Sequence, residues 1–182
     1  MNNLIEGTCF CVGNGITAYQ IISQARWTAC GTVEPELGKW VFEHLAPGAE
    51  NVAGGFKSMT RSVVVAGYNF GGGGKSNDHP VLALKGAGVK LIVAESFSRI
   101  FFRNCINLGL PVVQCPGVTA AFQNGDTLYC DLRSGIVENR TRENRLRATP
   151  LNSLALEILE ADNLLAYYGV RMTHPEQLFL SR

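Results

Sequence analysis

Residues 71–79 read Gly-Gly-Gly-Gly-Lys-Ser-Asn-Asp-His, placing an ammonium at Lys75, a hydroxyl at Ser76 and an imidazole at His79. A lysine is a hydrogen-bond donor and general acid, a serine can hold or attack a carbonyl group, and a histidine carries protons near neutral pH. Ahead of them Gly72, Gly73 and Gly74 present backbone N–H groups with no side chains in the way. The stretch follows an apolar run, Ser62–Phe70, and precedes a helical pattern, so it sits where backbone amides and a helix dipole stabilise anions. The chemistry expected is binding and polarisation of a small anionic or carbonyl-bearing molecule.

A nucleotide loop is the competing reading. It needs the spacing G-x-x-x-x-G-K-[ST] between strand and helix, and Gly74, Lys75 and Ser76 supply its end. Its first glycine falls on Asn69, however, and Asp78 stands near the helix start where phosphate charge would lie. No later strand ends in an aspartate suited to magnesium; "LIVAE" ends in Glu95. A tight turn between strand and helix is the plainer structural account, but four glycines exceed what a turn requires. His79 beside Pro80 also suits a helix start, and Lys75 suits a solvated loop.

The elements that must hold these residues follow from periodicity. "TCFCV" (8–12) suits a strand, "ITAYQIISQARW" an ambiguous connection with room for a short helix, and 34–45 a helix with Leu37, Val41, Phe42 and Leu45 on one face. "SVVVAGYNF" begins as a strand buried on both faces, "HPVLALKGAG" is a helix, "VKLIVAES" a strand, "FSRIFFRNCINLG" a helix and "LPVVQC" a strand. That alternation predicts a parallel sheet with right-handed crossovers. "DTLYCDL" and "SGIVENRT" then read as an antiparallel hairpin turning at Ser134 and Gly135, and "SLALEILEADNLLAYYG" as one last helix. The expected fold is α/β and three-layered, with parallel central strands and an antiparallel addition. Residues 1–182 form one domain, with 171–182 a surface tail.

Length and composition fit that picture. The 182 residues are 46% apolar and 17% charged, with net charge +1 and no basic footprint for nucleic acid. The start lacks a signal-peptide pattern and no run reaches the roughly 18 apolar residues of a membrane helix, so no membrane partner and a cytoplasmic location are expected. Six cysteines, at 9, 11, 30, 105, 115 and 130, form no C-x-x-C and have no histidine at zinc-ligand spacing. No metal and no cofactor are expected in this chain.

The stretch "GYNFGGGGKSNDH" resembles the pattern G-x-N-F-G-x-G-S-S-R-E-H of 3-isopropylmalate dehydratase small subunits, which are equivalent to the swivelling domain of aconitases. The likeness continues through "ALKGAGVKLIVAESFSRIFFRNCINLGLPVV" and, more faintly, across most of the chain. The resemblance implies a swivelling β/β/α domain. It implies docking on a large subunit holding a [4Fe-4S] cluster, and movement of a hydroxyl between adjacent carbons of a malate-type acid. It implies further that a serine base and a carboxylate-gripping arginine come from the S-S-R-E-H segment. With His79 on the family's histidine, Asp78 replaces its glutamate, Asn77 its arginine, Ser76 keeps the second serine and Lys75 stands at the serine base. Near the start, where the family shows D-T-D before two isoleucines, this chain has Thr17, Ala18 and Tyr19.

Three functions compete. The first is a diverged stand-alone, homodimeric enzyme without a metal: a lyase, isomerase or cyclase acting on a small organic substrate in a specialised biosynthetic pathway. Lys75, Ser76 and His79 are its catalytic candidates; Tyr19, Arg26, Gly72, Gly73, Gly74 and Asn77 bind substrate, with Trp27 beside Tyr19. Arg99 and Arg103 are further arginines that could meet a carboxylate. The second is a small hydro-lyase subunit awaiting its [4Fe-4S] partner, with Lys75 or Arg26 replacing the missing arginine. The third is a non-catalytic partner protein. The first is the reading this sequence favours, because several substrate-side positions change together.

Overall fold

The computed structural model describes residues 3–45, 62–73 and 77–173. Its centre is a seven-stranded sheet in the order β4-β3-β2-β1-β5-β6-β7. The first four strands, β1 (Leu4–Cys11), β2 (Val63–Ala66), β3 (Leu91–Ala94) and β4 (Val112–Gln114), run parallel. Every residue of β2 and β3 is buried, as continuous β-branched runs require when helices cover both faces. The crossovers carry helix α4 (His79–Gly86) and helix α5 (Arg99–Asn107).

On the other side β1 pairs antiparallel with β5 (Thr127–Asp131), which pairs with β6 (Ile136–Asn139) and then β7 (Asn144–Arg147). Here burial alternates along β5 and β6, the mark of a sheet with one solvated face. The hairpin turns where expected, with Gly135 at φ 71° and the Ser134 hydroxyl donating to Asp131 Oδ2 at 2.6 Å.

Several expected elements differ. The connection after β1 holds two helices, α1 (Ala18–Ile21) and α2 (Gln24–Cys30). The helix expected over 34–45 is only α3, Glu34–Gly38. A Cβ on Gly38 would lie 2.2 Å from the Gly86 carbonyl carbon, so α3 is pressed against α4. Phe42 then takes φ 60°, which ends helical geometry and buries its ring on Phe10 at 5.4 Å. The apolar spacing there records turns over a core. The expected last helix is two, α7 (Ser153–Glu160) and α8 (Leu164–Thr173), broken at Asp162 with φ 73°. The expected tail thus begins inside α8, and 174–182 lie outside the described residues.

Two elements were not expected. The arginine-rich stretch 140–147 holds β7, whose Arg145 pairs with Glu138 at 3.5 Å, as does the preceding Arg140 at 3.1 Å. A short helix α6 (Val118–Ala121) follows β4. Glu95 organises it, accepting from the N–H groups of Gly117 (2.8 Å) and Thr119 (3.0 Å) and from the Thr119 hydroxyl (2.7 Å).

Candidate functional site

The carboxyl end of β2 leads straight into the glycine loop. Asn69 takes φ 55°, a conformation asparagine tolerates, and its N–H donates to the Ser96 hydroxyl at 2.9 Å. Phe70 and Ser98 tie the loop to the start of α5, since Phe70 N–H donates to the Ser96 carbonyl and Ser98 N–H to the Phe70 carbonyl, each at 3.0 Å. The Ser98 hydroxyl caps α5 at Phe101 N–H (3.3 Å) and donates to the Gly71 carbonyl at 3.0 Å.

The first glycines are there for close packing. A Cβ on Gly71, at φ 75°, would lie 2.1 Å from Phe101 Cγ, and one on Gly72 would lie 2.7 Å from Asn69 Nδ2. Gly71 N–H donates to the Ile16 carbonyl at 2.8 Å, and Gly72 N–H is turned toward the Asn69 carbonyl at 3.3 Å. Gly72, expected to offer its amide to a ligand, is buried, and its N–H lies inside the loop. Gly73 is exposed, at φ 69°, beside the Thr17 side chain. Gly74, Lys75 and Ser76 lie outside the described residues.

Past them, Asn77 and His79 form a tight pair. Asn77 Oδ1 accepts the His79 backbone N–H at 3.0 Å and also contacts His79 Nδ1. Asn104 of α5 donates from Nδ2 to the Asn77 carbonyl at 3.2 Å, holding the segment from below. Trp27 of α2 stacks on the His79 ring, centroids 5.4 Å apart and planes 27° apart, and Tyr19 of α1 packs on Trp27 at 5.4 Å. Thr17 caps α1 through a reciprocal bond with Gln20, and Ala18 N–H donates to the Gly72 carbonyl at 2.9 Å. The N-terminal helices are thereby fastened to the glycine loop, and Tyr19, 40% exposed, stands at the surface of this corner.

The arginines go elsewhere. Arg26 Nε donates to both oxygens of Glu43, at 2.9 and 3.1 Å, and its guanidinium lies 3.4 Å from the Trp40 ring centroid. Arg26, expected to bind substrate, is thus engaged by a carboxylate of its own chain. Arg99 and Arg103, four apart on α5, line a separate cleft of 480 Å³ with Phe97, Phe102 and Gln114, whereas Phe101 and Asn104 are the residues of α5 that meet the loop. The Asn104 contact and the Trp27–His79 stack have no signature in the sequence beyond helical spacing.

Ionisable groups behind the loop are held in one state. Burial works to raise the Glu95 carboxyl, but the Thr119 hydroxyl and the two N–H groups outweigh it and keep the group below the ordinary carboxylate range. Burial pushes the Cys105 thiol far up, Cys115 up to about 11 with help from the Glu95 charge, and Cys130 up to about 12. These are protonated thiols, unsuited to thiolate ligation. Among the described residues no three His, Cys, Asp or Glu side chains gather as a metal-holding set.

Comparison with known proteins places this architecture. The model of the aconitase C-terminal domain matches residues 50–116. The small subunit 1 of 3-isopropylmalate dehydratase from Methanopyrus kandleri is 42% identical over 166 residues, 91% of this chain and 92% of that protein. The isopropylmalate/citramalate isomerase small subunit of Methanocaldococcus jannaschii is 35% identical over 176 residues, 97% of this chain and all of that one. The crystal structure of a 3-isopropylmalate dehydratase from the same organism superposes with a TM-score of 0.80 at 27% identity, covering 96% of this chain and 98% of that one.

Proposed function

We propose, because this chain belongs to the family of 3-isopropylmalate dehydratase small subunits, that it is the small subunit of a hydro-lyase and works with a separate large subunit. What supports this is the end-to-end correspondence with small subunits, over a sheet of the same architecture. This reading displaces the stand-alone one that the sequence favoured. In it the partner carries the [4Fe-4S] cluster, which supplies a Lewis acid for the departing hydroxyl. Residues of this chain orient the organic acid: Gly73 and Asn77 border the substrate, and Lys75 supplies the cation that Asn77 cannot. Ser76 donates a hydrogen bond, and Tyr19 walls the pocket. Among the described residues no helix is long and apolar enough to cross a membrane, and we place the complex in the cytoplasm.

The experiment is reconstitution. The chain is purified alone and together with a cluster-bearing large subunit, and conversion of 2-isopropylmalate and citramalate is followed. Turnover only with the partner is the expected result. Asn77 and Tyr19, standing where the resemblance places an arginine and an acid, favour one second reading, a colourless homodimer that acts on a different organic substrate without a metal. Turnover by the chain alone, without iron, would establish it.

A further inference from the structure

We propose that His79 transfers a proton in the reaction of this chain, and that Asn77 is the residue that positions it; the proton-transfer step rests on the hydro-lyase reading above. Asn77 Oδ1 accepts the His79 backbone N–H at 3.0 Å, and an amide nitrogen has no lone pair to do so, which settles which end of the Asn77 amide faces the ring. The same oxygen contacts His79 Nδ1. Two acceptors cannot share a hydrogen bond, so Nδ1 carries the hydrogen. In the neutral ring the lone pair is then on Nε2, the atom with no hydrogen-bond partner among the described residues.

The surroundings keep the ring in that pose. Trp27 covers one face, Tyr19 backs Trp27, and Asn104 holds the Asn77 backbone. Among the described residues the imidazole bonds to no N–H group of α4; its polar contact is with Asn77. Of the charged groups on the packed elements, Arg99 and Arg103 of α5 line the separate cleft. Asp78 is the preceding residue, Tyr19 is the phenol of α1, and Arg26 of α2 is turned onto Glu43 and Trp40. On α3 and α4 Glu34 and Lys85 pair at the other end. Lys75 precedes the pair in sequence, outside the described residues.

In the step itself, Nε2 takes the proton from the carbon next to the one bearing the hydroxyl. The electrons of that C–H bond become the second bond of the alkene as hydroxide leaves. On re-addition the imidazolium returns the proton to one carbon while hydroxide adds to its neighbour, so protons and charges balance.

Two measurements test this. In the full chain labelled with 13C and 15N at histidine, His79→Gln assigns the signals, since His44 and His174 are the only others. The neutral His79 ring is expected as the Nδ1–H tautomer, shifting toward the Nε2–H form common in free histidine in Asn77→Ala and retained in Asn77→Asp. In the reconstituted complex His79→Gln is expected to lower kcat by about 100- to 10,000-fold with KM little changed, and Asn77→Ala by a smaller factor that Asn77→Asp partly restores. An Nε2–H ring in the unaltered chain, or unchanged turnover in His79→Gln, would overturn the proposal. Unaltered chain inactive with the partner but carrying the Nδ1–H ring would overturn the step as written and count against the hydro-lyase reading, while upholding the geometry.

Discussion

Two polar clusters in this chain differ in how deeply they are buried and in what they leave open. Behind the antiparallel strands, Asp126 Oδ2 accepts from Gln123 N–H at 2.9 Å, Asn139 Nδ2 at 2.7 Å and Arg142 Nε at 2.9 Å. Asn139 in turn donates to the Ala121 carbonyl and accepts from the N–H groups of Thr141 and Arg142. Both residues are buried, and their charge and dipoles are answered within the cluster. At the glycine loop the Asn77–His79 pair uses one ring nitrogen and leaves the other without a partner among the described residues. A buried carboxylate gripped by three donors fixes shape; a half-buried ring with a spare lone pair can take part in a reaction.

The largest expected separation comes from Asp126→Ala, which leaves the buried Asn139 amide short of an acceptor and takes from Arg142 its carboxylate. It should lower unfolding free energy by about 2 kcal/mol, read by urea denaturation, whereas His79→Gln should change it by less than about 1 kcal/mol. Comparable losses from the two variants would erase the distinction. Acid sharpens it next. Burial raises the Asp126 carboxyl, but bonds from Asn139, Gln123 and Arg142 more than offset this and hold it below the ordinary range. A carboxyl depressed on folding contributes stability that is complete above the ordinary aspartate value, near ~3.9, and lost as pH falls through the lower folded value. Asp131, held down first by Ser134, and Glu95 act in the same sense. Stability should therefore drop on acidification below about pH 4, and less steeply in Asp126→Asn, measured by denaturation at stepped pH. Ser98→Ala should cost about 1 kcal/mol, through the lost α5 cap and the loosened Gly71 carbonyl. Smallest is Tyr19→Phe, expected within about 0.5 kcal/mol in stability, so that any kinetic change reports on substrate.

How much of this was legible beforehand follows the same divide. The parallel half could be read because β2 and β3 are apolar without interruption, and the alternation along β5 and β6 showed the hairpin. What escaped depends on contacts distant in sequence. The shortness of α3 comes from Gly38 meeting Gly86, and the break before α8 comes from the Asp162 carbonyl lying against Gly109. Strand β7 hid inside an arginine-rich stretch because its Arg145 pairs across the ladder with Glu138 of β6. At the site, residue types and their crowding showed, but roles did not. Nothing local tells that Arg26 is occupied by Glu43, or that the Gly72 amide faces its own loop.

The bond from Ser98 to the Gly71 carbonyl and the seating of Gly71 on Phe101 also have a mechanical side. The first half of the loop has the helix beneath it as its bearing. Moving it alone would break the Ser98 bond and lift Gly71 off Phe101, so the loop, the start of α5 and the chain leaving β3 are mechanically one corner.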